Sequence, residues 1–206
     1  MRVMPRGYSH DVRGDGTTVV KRYGGPLASR RAATERDTLL RLADSGLPVP
    51  RVLDSSPLVL ITAHLPGVHG QELIENGHAA DVLRSCGETL RRIPPPLVHG
   101  DYGPNNTLYD PSTYAVTAVL DWEFAHEGDQ VEDLAWAEWI IRTHHTDEVP
   151  ALAALFDGYG HRPPWPVRHE HMLAKCRQML AQPRLHQSGR DRWRRNITVT
   201  ASWTEL

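Results

Sequence analysis

Three oxygen-bearing side chains beside short apolar strands constrain the fold of this chain more than any other sequence feature. Asp101 follows the strand-like pair Leu97-Val98, and Asn106 comes five residues later, close enough to turn back toward the same point. Asp121 ends the apolar segment Val116 to Leu120, so its carboxylate should project at a strand tip rather than into the core. Hard oxygen ligands on rigid elements are what Mg²⁺ requires. We therefore expect a fold that gathers these three side chains around one cation.

Two residues upstream add the other parts that phosphoryl transfer needs. Lys21 lies in the middle of Thr17 to Tyr23, a β-branched and aromatic segment. Glu35 shares one face of the helix predicted over Leu27 to Ser45 with two leucines. If that face is buried, Glu35 needs a cation such as Lys21, because an unpaired buried carboxylate is costly. A different helix phase would leave Glu35 exposed instead.

The rest of the chain alternates short strands and amphipathic helices. Residues 8–23 predict a hairpin, because Asp15-Gly16 suits a two-residue turn in which both positions adopt positive φ. Leu65-Pro66-Gly67 breaks the pattern and marks the expected lobe boundary. Further strands are predicted at 51–54, 58–62, 97–98, 107–109 and 116–120, and further helices at 79–93, 131–144, 149–158 and 167–182. The last 20 residues give no clear pattern.

Bulk composition narrows the class of protein. The chain has 206 residues, of which 40% are hydrophobic, enough for one large domain or two small lobes. Its net charge of −2 argues against a nucleic-acid partner. No apolar run approaches the roughly 20 residues that span a bilayer, so no membrane partner is expected. Cys86 and Cys176 have no CxxC partner and are interpreted as thiols of a cytoplasmic protein.

Acidic residues are concentrated in one segment. From Tyr102 to Ile141 there is no Lys or Arg but there are eight acids, namely Asp110, Asp121, Glu123, Glu127, Asp129, Glu132, Asp133 and Glu138. Either the segment forms a solvated acidic face, or it holds a divalent cation or a cationic substrate. The second possibility makes an aminoglycoside or another amine-bearing acceptor plausible.

Two motifs resemble those of a known family. The segment from His99-Gly100-Asp101 to Asn106 looks like the HGDxxxxN catalytic loop of the aminoglycoside phosphotransferase-like branch, which includes choline kinase-like proteins, of the protein-kinase-like superfamily. Leu120-Asp121-Trp122-Glu123 looks like its D-W-E metal motif. The resemblance covers roughly residues 5–160, with Thr18 to Tyr23 similar to the lysine strand and Leu58 to Gly67 similar to the hinge.

The resemblance implies an α+β, bilobal fold with a small β-rich lobe over residues 1–65 and a mainly helical lobe over 66–206. It implies an enzyme that moves the γ-phosphate of ATP or GTP onto a hydroxyl of a small molecule with the help of Mg²⁺. The implied catalytic residues are Asp101, Asn106 and Asp121, of which Asn106 and Asp121 would hold the metal. The other implied roles are nucleotide binding by Ser9, Lys21, Glu35, Ala63 and Leu65, support of the loop by His99 and Asp133, and acceptor binding by Glu123 and Glu127.

Departures from the family pattern keep rival interpretations open. Gly7-Tyr8-Ser9-His10 has one glycine where a phosphate-covering loop is expected to have more, and only 33 residues, 66 to 98, separate hinge and catalytic loop. A non-catalytic nucleotide-binding module is therefore the alternative, and the acceptor pocket could be open or completed by a partner subunit. A protein kinase fits less well, because Asp-Trp-Glu replaces Asp-Phe-Gly. The arginines at 190, 192, 194 and 195 form either a solvated end or a contact for an anion.

Overall fold

The first of two lobes is built on an antiparallel sheet. The computed structural model describes residues 2–3, 10–182 and 185–205. The sheet has the strand order β1-β2-β3-β5-β4. Its strands are β1 (Arg2–Val3), β2 (His10–Gly14), β3 (Thr18–Tyr23), β4 (Val52–Ser56) and β5 (Val59–Ala63). Helix α1 (Ala28–Leu42) follows β3 and contacts β3, β4 and β5. This arrangement is the small β-rich lobe that the sequence predicts.

The predicted hairpin is confirmed, but its two-residue turn is wrong. β2 ends at Gly14 and β3 begins at Thr18, so three residues connect the strands, and the last β2–β3 pair is Gly14 with Val19. Gly16 has a φ of +93°, whereas Asp15 does not adopt positive φ. The Asp15 carboxylate instead accepts the backbone N–H groups of Thr17 and Thr18, at 2.8 and 2.7 Å. These bonds hold the pKa of Asp15 well below its usual range and fix the turn without a left-handed aspartate.

Helix α1 turns its carboxylate inward. The helix ends three residues before the predicted Ser45. Its buried face contains Ala32, Glu35, Leu39 and Leu42, so the predicted phase is confirmed. The exposed fraction of Glu35 is only 5%. Glu35 must therefore find a cation inside the protein.

The second lobe is mainly helical. Its helices are α2 (Gly70–Glu75), α3 (Ala79–Leu90), α4 (Val131–His144), α5 (Leu152–Tyr159), α6 (Trp165–Leu180) and α7 (Gln187–Ala201). Its short strands are β6 (Val68–His69), β7 (Leu97–Val98), β8 (Thr107–Tyr109), β9 (Val116–Val119) and β10 (His126–Glu127). They form the sheets β6-β8-β9 and β10-β7. The predicted helices and strands are all present with small shifts at their ends, whereas α2, α7, β1, β6 and β10 were not predicted. The boundary between residues 65 and 66 stays a prediction.

Close approach of two helices organises the main core of this lobe. α3 and α5 touch along most of their length, because each contributes a glycine at the contact. A Cβ at Gly158 would overlap the carbonyl oxygen of Arg84, and one at Gly87 would overlap that of Leu155. Cys86 is buried beside this contact as a free thiol, as predicted. None of the described helices is long and apolar enough to cross a membrane.

A second core joins α4, α6 and α7. It contains Trp136 and Trp139 of α4, Met172 and Cys176 of α6, and Trp193 of α7. Cys176 is a free, buried thiol here, which agrees with its interpretation from the sequence. Because this core lies directly behind the loop that carries Asp101, it places α7 at the site.

Candidate active site

A buried lysine links the two lobes. Lys21 Nζ of β3 donates hydrogen bonds to Glu35 Oε2 at 2.7 Å and to Asp121 Oδ1 at 2.6 Å. Tyr23 donates its hydroxyl to the same Glu35 oxygen at 2.5 Å. The structure therefore brings together Lys21 and Glu35, as the buried helix face requires, and adds Asp121 as a second carboxylate.

The charge state of Lys21 follows from this environment. Burial lowers the pKa of Lys21, but the negative charges of Glu35, Asp121 and Glu123 outweigh burial and leave the pKa above its usual value. For Glu35, burial dominates and raises the pKa, although the charge of Lys21 acts in the opposite direction. Lys21 is thus a fixed cation at the point where the two lobes meet.

The loop that precedes Asp101 is anchored by a buried carboxylate from α4. Asp133 accepts the backbone N–H groups of His99 at 2.6 Å and Gly100 at 2.9 Å. Burial raises the pKa of Asp133 to about 6, and these two hydrogen bonds limit the rise. Gly100 has a φ of +83°, and a Cβ there would overlap the carbonyl oxygen of Phe124, so the loop requires glycine at this position.

His99 is buried and neutral. Its Nε2 bonds to the carbonyl oxygen of Leu120 at 2.7 Å, and its Nδ1 accepts the N–H of Asp101 at 3.2 Å. Burial lowers the pKa of His99 to about 4. The imidazole is neutral at pH 7, and both of its nitrogens bond to backbone groups. It thereby connects the segment after β7 with the segment after β9. The arrangement suits structural support rather than proton transfer.

The Asp101 carboxylate is oriented from both sides. Asn106 Nδ2 donates to Asp101 Oδ2 at 3.0 Å, and Trp136 Nε1 donates to Asp101 Oδ1 at 2.8 Å. Burial raises the pKa of Asp101, while both hydrogen bonds and the charge of Lys175 lower it. The carboxylate remains partly exposed and faces a cavity. Each of its oxygens keeps a lone pair for a further partner.

Trp136 and Lys175 are site residues that the motifs did not predict. Lys175 of α6 donates from Nζ to the carbonyl oxygen of Gly100 at 2.5 Å. Burial lowers its pKa, whereas the charges of Asp101 and Asp133 raise it. Both residues lie outside the loop and reach it only through tertiary packing. The apolar pattern of α4 could have suggested a buried Trp136, but nothing local distinguishes Lys175.

The donor set at the loop fits Mg²⁺. Asn106 directs its amide nitrogen to Asp101, which leaves its amide oxygen for a cation. Asp121 has left-handed backbone angles, φ 62° and ψ 51°, and its side chain is half-exposed. One amide and one carboxylate oxygen are typical of Mg²⁺ sites that are completed by phosphates and water. Within the described ranges, no group of three or more His, Cys, Asp or Glu residues could hold a metal.

The predicted nucleotide contacts are placed unevenly. Ser9 lies outside the described residues. Ala63 ends β5, and its N–H donates to the Arg51 carbonyl oxygen at 2.9 Å. In the part of the chain that the structure describes, the Leu65 N–H makes no backbone hydrogen bond. The Ala63 N–H is therefore already used within the sheet, whereas the Leu65 N–H can donate to a nucleotide base.

The predicted acceptor residues lie apart from Asp101. Glu123 is buried, 3.8 Å from Arg31 of α1, and its charge raises the pKa of Lys21. Glu127 is exposed in β10, where it pairs with Leu97. The structure brings neither residue to the cavity beside Asp101. Their predicted contact with the acceptor remains an untested prediction.

Most of the acidic side chains between Tyr102 and Ile141 have hydrogen-bond or ion-pair partners within the protein. Asp121 pairs with Lys21, and Asp133 anchors the loop. Glu138 forms buried ion pairs with Arg142 of α4, at 2.9 Å, and with Arg168 of α6. Asp110 accepts hydrogen bonds from its own turn, and Asp129 accepts one from the start of α4. Glu132 bonds to His126. The run therefore stabilises the loop and helices rather than forming one acidic surface.

A cavity of about 250 Å³ opens next to Asp101. Its walls come from the loop that carries Asp101, from α2, α4 and the end of α6, and from α7, which contributes Arg192, Trp193 and Asn196. The sequence left open whether such a pocket would be completed by a partner subunit. α7, from the segment without a clear pattern, supplies a wall within the chain. A second cavity of about 310 Å³ lies on the other side of Trp136, next to Lys175.

The fold and this arrangement define a bilobal, protein-kinase-like protein with a site suited to phosphoryl transfer. The chain matches the family described as "Phosphotransferase enzyme family" over residues 5–95 and 93–171, which together make up most of the sequence. The chain belongs to this family. Its α+β, bilobal fold, predicted from two motifs, is thereby confirmed.

A homoserine kinase from Caulobacter sp. (strain K31) is 27% identical over an alignment of 147 residues that covers 67% of this chain and 45% of that protein. The chain thus spans less than half the length of this curated relative. Acyl-CoA dehydrogenase family member 11 of Gallus gallus is 44% identical over only 41 residues, 20% of this chain and 5% of that protein.

Solved structures share the fold at low sequence identity. The gentamicin complex of aminoglycoside phosphotransferase APH(2'')-IIa superposes with a TM-score of 0.71 at 13% identity, covering 98% of this chain and 91% of that one. The ADP-bound APH(2'')-Ib gives 0.70 at 13% identity, with 98% and 91% covered. Macrolide 2'-phosphotransferase MphH from Brachybacterium faecium gives 0.61 at 19%, with 100% and 93% covered. At these identities the likeness shows the fold alone.

Proposed function

We propose that the chain is a small-molecule kinase that transfers the γ-phosphate of ATP or GTP to a hydroxyl group. One observation carries the proposal. The Asp101 carboxylate is held by Asn106 and Trp136 at the mouth of a cavity, and His99 of the same loop bonds to the Leu120 carbonyl oxygen beside the Lys21–Asp121 pair. Phosphoryl transfer is catalysed mainly by positioning and electrostatics, and this arrangement supplies both.

Asp101 has the position of a group that orients the acceptor hydroxyl and takes its proton. A base that accepts a hydroxyl proton must be ionised and within hydrogen-bond reach. The N–H donors of Asn106 and Trp136 favour the ionised form of Asp101, against the effect of burial. In this role the two donors also fix the direction of the carboxylate, so an incoming hydroxyl meets a preset oxygen.

Lys21 is placed to contact the nucleotide phosphates. Its ammonium group is fixed by Glu35 from behind and reaches Asp121, which lies at the end of the second lobe's strand β9. Mg²⁺ held by Asn106 and Asp121 would neutralise phosphate charge. The N–H of Leu65 can donate to the base. Such a backbone contact suits either ATP or GTP.

The decisive test is Asp101→Asn, with Asp101→Ala as a second variant. Asparagine keeps the shape and one acceptor oxygen but cannot take a proton, so turnover should fall about 10²- to 10⁴-fold. Nucleotide affinity, measured by calorimetry with a non-hydrolysable ATP analogue and Mg²⁺, should change little. Turnover near that of the wild type in either variant would remove Asp101 from this role.

The motifs do not define the acceptor, which is the molecule whose hydroxyl group receives the phosphate. An amine-bearing acceptor was expected from the acidic run, but most of those acids are used inside the protein, which takes away the main support for that expectation. A wild-type chain that binds nucleotide yet transfers no phosphate, even to water, would instead favour the non-catalytic module.

A further inference from the structure

The cavity next to Asp101 has apolar walls. Trp136 and Trp139 stack with ring centroids 4.4 Å apart and an interplanar angle of 5°. Trp193 of α7 stacks on Trp139 at 5.8 Å and 27°. The three indoles, each less than a tenth exposed, line the cavity together with Ile140 and Met179. Because the rings cover one another's faces, they offer a ligand apolar surface to remove from water rather than a free face for stacking, which favours a small apolar ring.

The volume of this tryptophan cavity limits the ligand. At about 250 Å³ it lies below the roughly 300–1,000 Å³ that is usual for small-molecule sites. A single ring with one or two substituents fits this space. An oligosaccharide of two or three rings would have to leave most of its surface in solvent.

The charge of the cavity is negative only at Asp101. At the rim, Arg192 lies over the ring of Trp193, with its guanidinium carbon 5.5 Å from the ring centroid. Among the described residues, no carboxylate lies within ion-pair distance of Arg192, whereas Arg194 on the same helix pairs with Asp191 at 3.1 Å. A guanidinium is suited to bind a carboxylate. The rim therefore favours an anionic group and disfavours an ammonium.

We propose that the acceptor is a single-ring hydroxy compound that carries a carboxylate, not a polyamine. The inference rests on the proposed function, because it assigns the hydroxyl end of the ligand to Asp101 and the carboxylate end to Arg192. In the reaction, the hydroxyl oxygen forms a bond to the γ-phosphorus and the bond from that phosphorus to the β–γ bridging oxygen breaks. The hydroxyl proton passes to Asp101, and ADP or GDP leaves.

A matched acceptor panel tests the inference. 4-(Hydroxymethyl)benzoate, benzyl alcohol and 4-(hydroxymethyl)benzylamine share the ring and the hydroxymethyl group and differ at the para position, which carries a carboxylate, a hydrogen or an aminomethyl cation, and kanamycin represents polyamines. Phosphorylated product is measured by mass spectrometry at matched concentrations with ATP and Mg²⁺. The benzoate should exceed the neutral alcohol about tenfold in kcat/KM, as one charge-assisted contact predicts, and the benzylamine should be poorest.

A pair of variants assigns the preference to one arginine. In Arg192→Gln, the ratio of benzoate to benzyl alcohol should fall about tenfold, because the charged contact is lost while the ring contacts remain. Arg194→Gln removes the same charge from the same helix at a residue that does not line the cavity. Its benzoate-to-alcohol ratio should stay at the wild-type value. An equal loss of the ratio in both variants would refute a specific role for Arg192.

The remaining outcomes separate this inference from the proposed function. Preference for kanamycin or the benzylamine would overturn the acceptor class and leave the kinase activity intact. Slow ATP hydrolysis that depends on Asp101, together with no transfer to any ring compound, would have the same meaning. Absence of both nucleotide binding and hydrolysis would overturn the proposed function and the inference with it.

Discussion

The hydrogen bond from Trp136 to Asp101 gives a sharp test of the site. Trp136→Phe removes the indole N–H that donates to Asp101 Oδ1 at 2.8 Å, but it keeps an aromatic ring against Trp139. Asn106 still holds the other oxygen of Asp101. The variant therefore keeps the carboxylate at its position but removes one of the two donors that fix its direction. Any change in kcat then reports the effect of carboxylate orientation.

The expected size follows from the bond that is lost. A hydrogen bond to a charged group contributes about 1.5–3 kcal/mol, so kcat should fall about 10- to 150-fold if the bond is fully needed in the transition state. The pH dependence should change as well. The N–H lowers the pKa of Asp101 by stabilising the carboxylate. Its removal raises that pKa, so activity should be lost at a higher pH as the solution is acidified.

The assay is steady-state ATP hydrolysis with saturating Mg²⁺, followed from pH 5 to 9 by coupled detection of ADP. Trp139→Phe is the matched control, because it loses the same part of the ring while its indole N–H bonds to Thr200 at 2.9 Å rather than to Asp101. The acid limb should move in Trp136→Phe and stay in Trp139→Phe. Identical acid limbs and kcat values in the two variants would refute the orienting role of Trp136.

Three further perturbations test other contacts. Glu35→Gln should weaken nucleotide binding about tenfold in calorimetry, because the buried lysine of β3 loses a charged partner. The exposed control Asp37→Asn should leave the affinity unchanged. Equal nucleotide affinities in the two variants would contradict this role of Glu35. Gly158→Ala should lower the free energy of unfolding in urea by about 1–3 kcal/mol, since its Cβ would overlap a carbonyl of α3, and Gly14→Ala should not. Asp133 has a pKa of about 6 in the folded protein and therefore binds its proton more tightly there than in the unfolded chain. Its ionisation should lower the free energy of unfolding by up to about 3 kcal/mol as the pH rises from 4 to 6. If the free energy of unfolding depends on pH in the same way in Asp133→Asn, this expectation is contradicted.

Much of the fold could be predicted because its signals are local. Strand β3, helix α1 and helix α4 follow from β-branched runs and from apolar residues spaced at helical periods. Glu35 could be assigned to the interior because a single face of α1 carries it together with the leucines. The turn after Gly14 was wrong in detail, since the Asp15 side chain replaces the left-handed conformation with hydrogen bonds that the residue pair alone does not reveal.

The parts that could not be predicted depend on contacts between distant segments. Helix α7 consists mostly of polar and charged residues and buries only Trp193 and Thr200, so its apolar periodicity is too weak to be seen in the sequence. Lys175 reaches the Gly100 carbonyl across 75 positions of the chain. The acidic run was ambiguous for the same reason, because its partner Arg168 lies in another helix.

The local contacts and the contacts between distant segments serve different parts of the site. The residues that would handle the phosphates and the metal lie in strand β3, on helix α1, on the loop of Asp101 and after strand β9, in segments that short motifs can encode. The wall that would recognise the acceptor comes from α4, α6 and α7, which meet only through the packing of Trp136, Trp139 and Trp193. Because Arg192 is exposed at the rim while Trp193 beside it is buried, substitutions of Arg192 should alter the acceptor without disturbing Asp101. Acceptor choice in this chain should therefore follow α7, and the transfer chemistry should follow the loop.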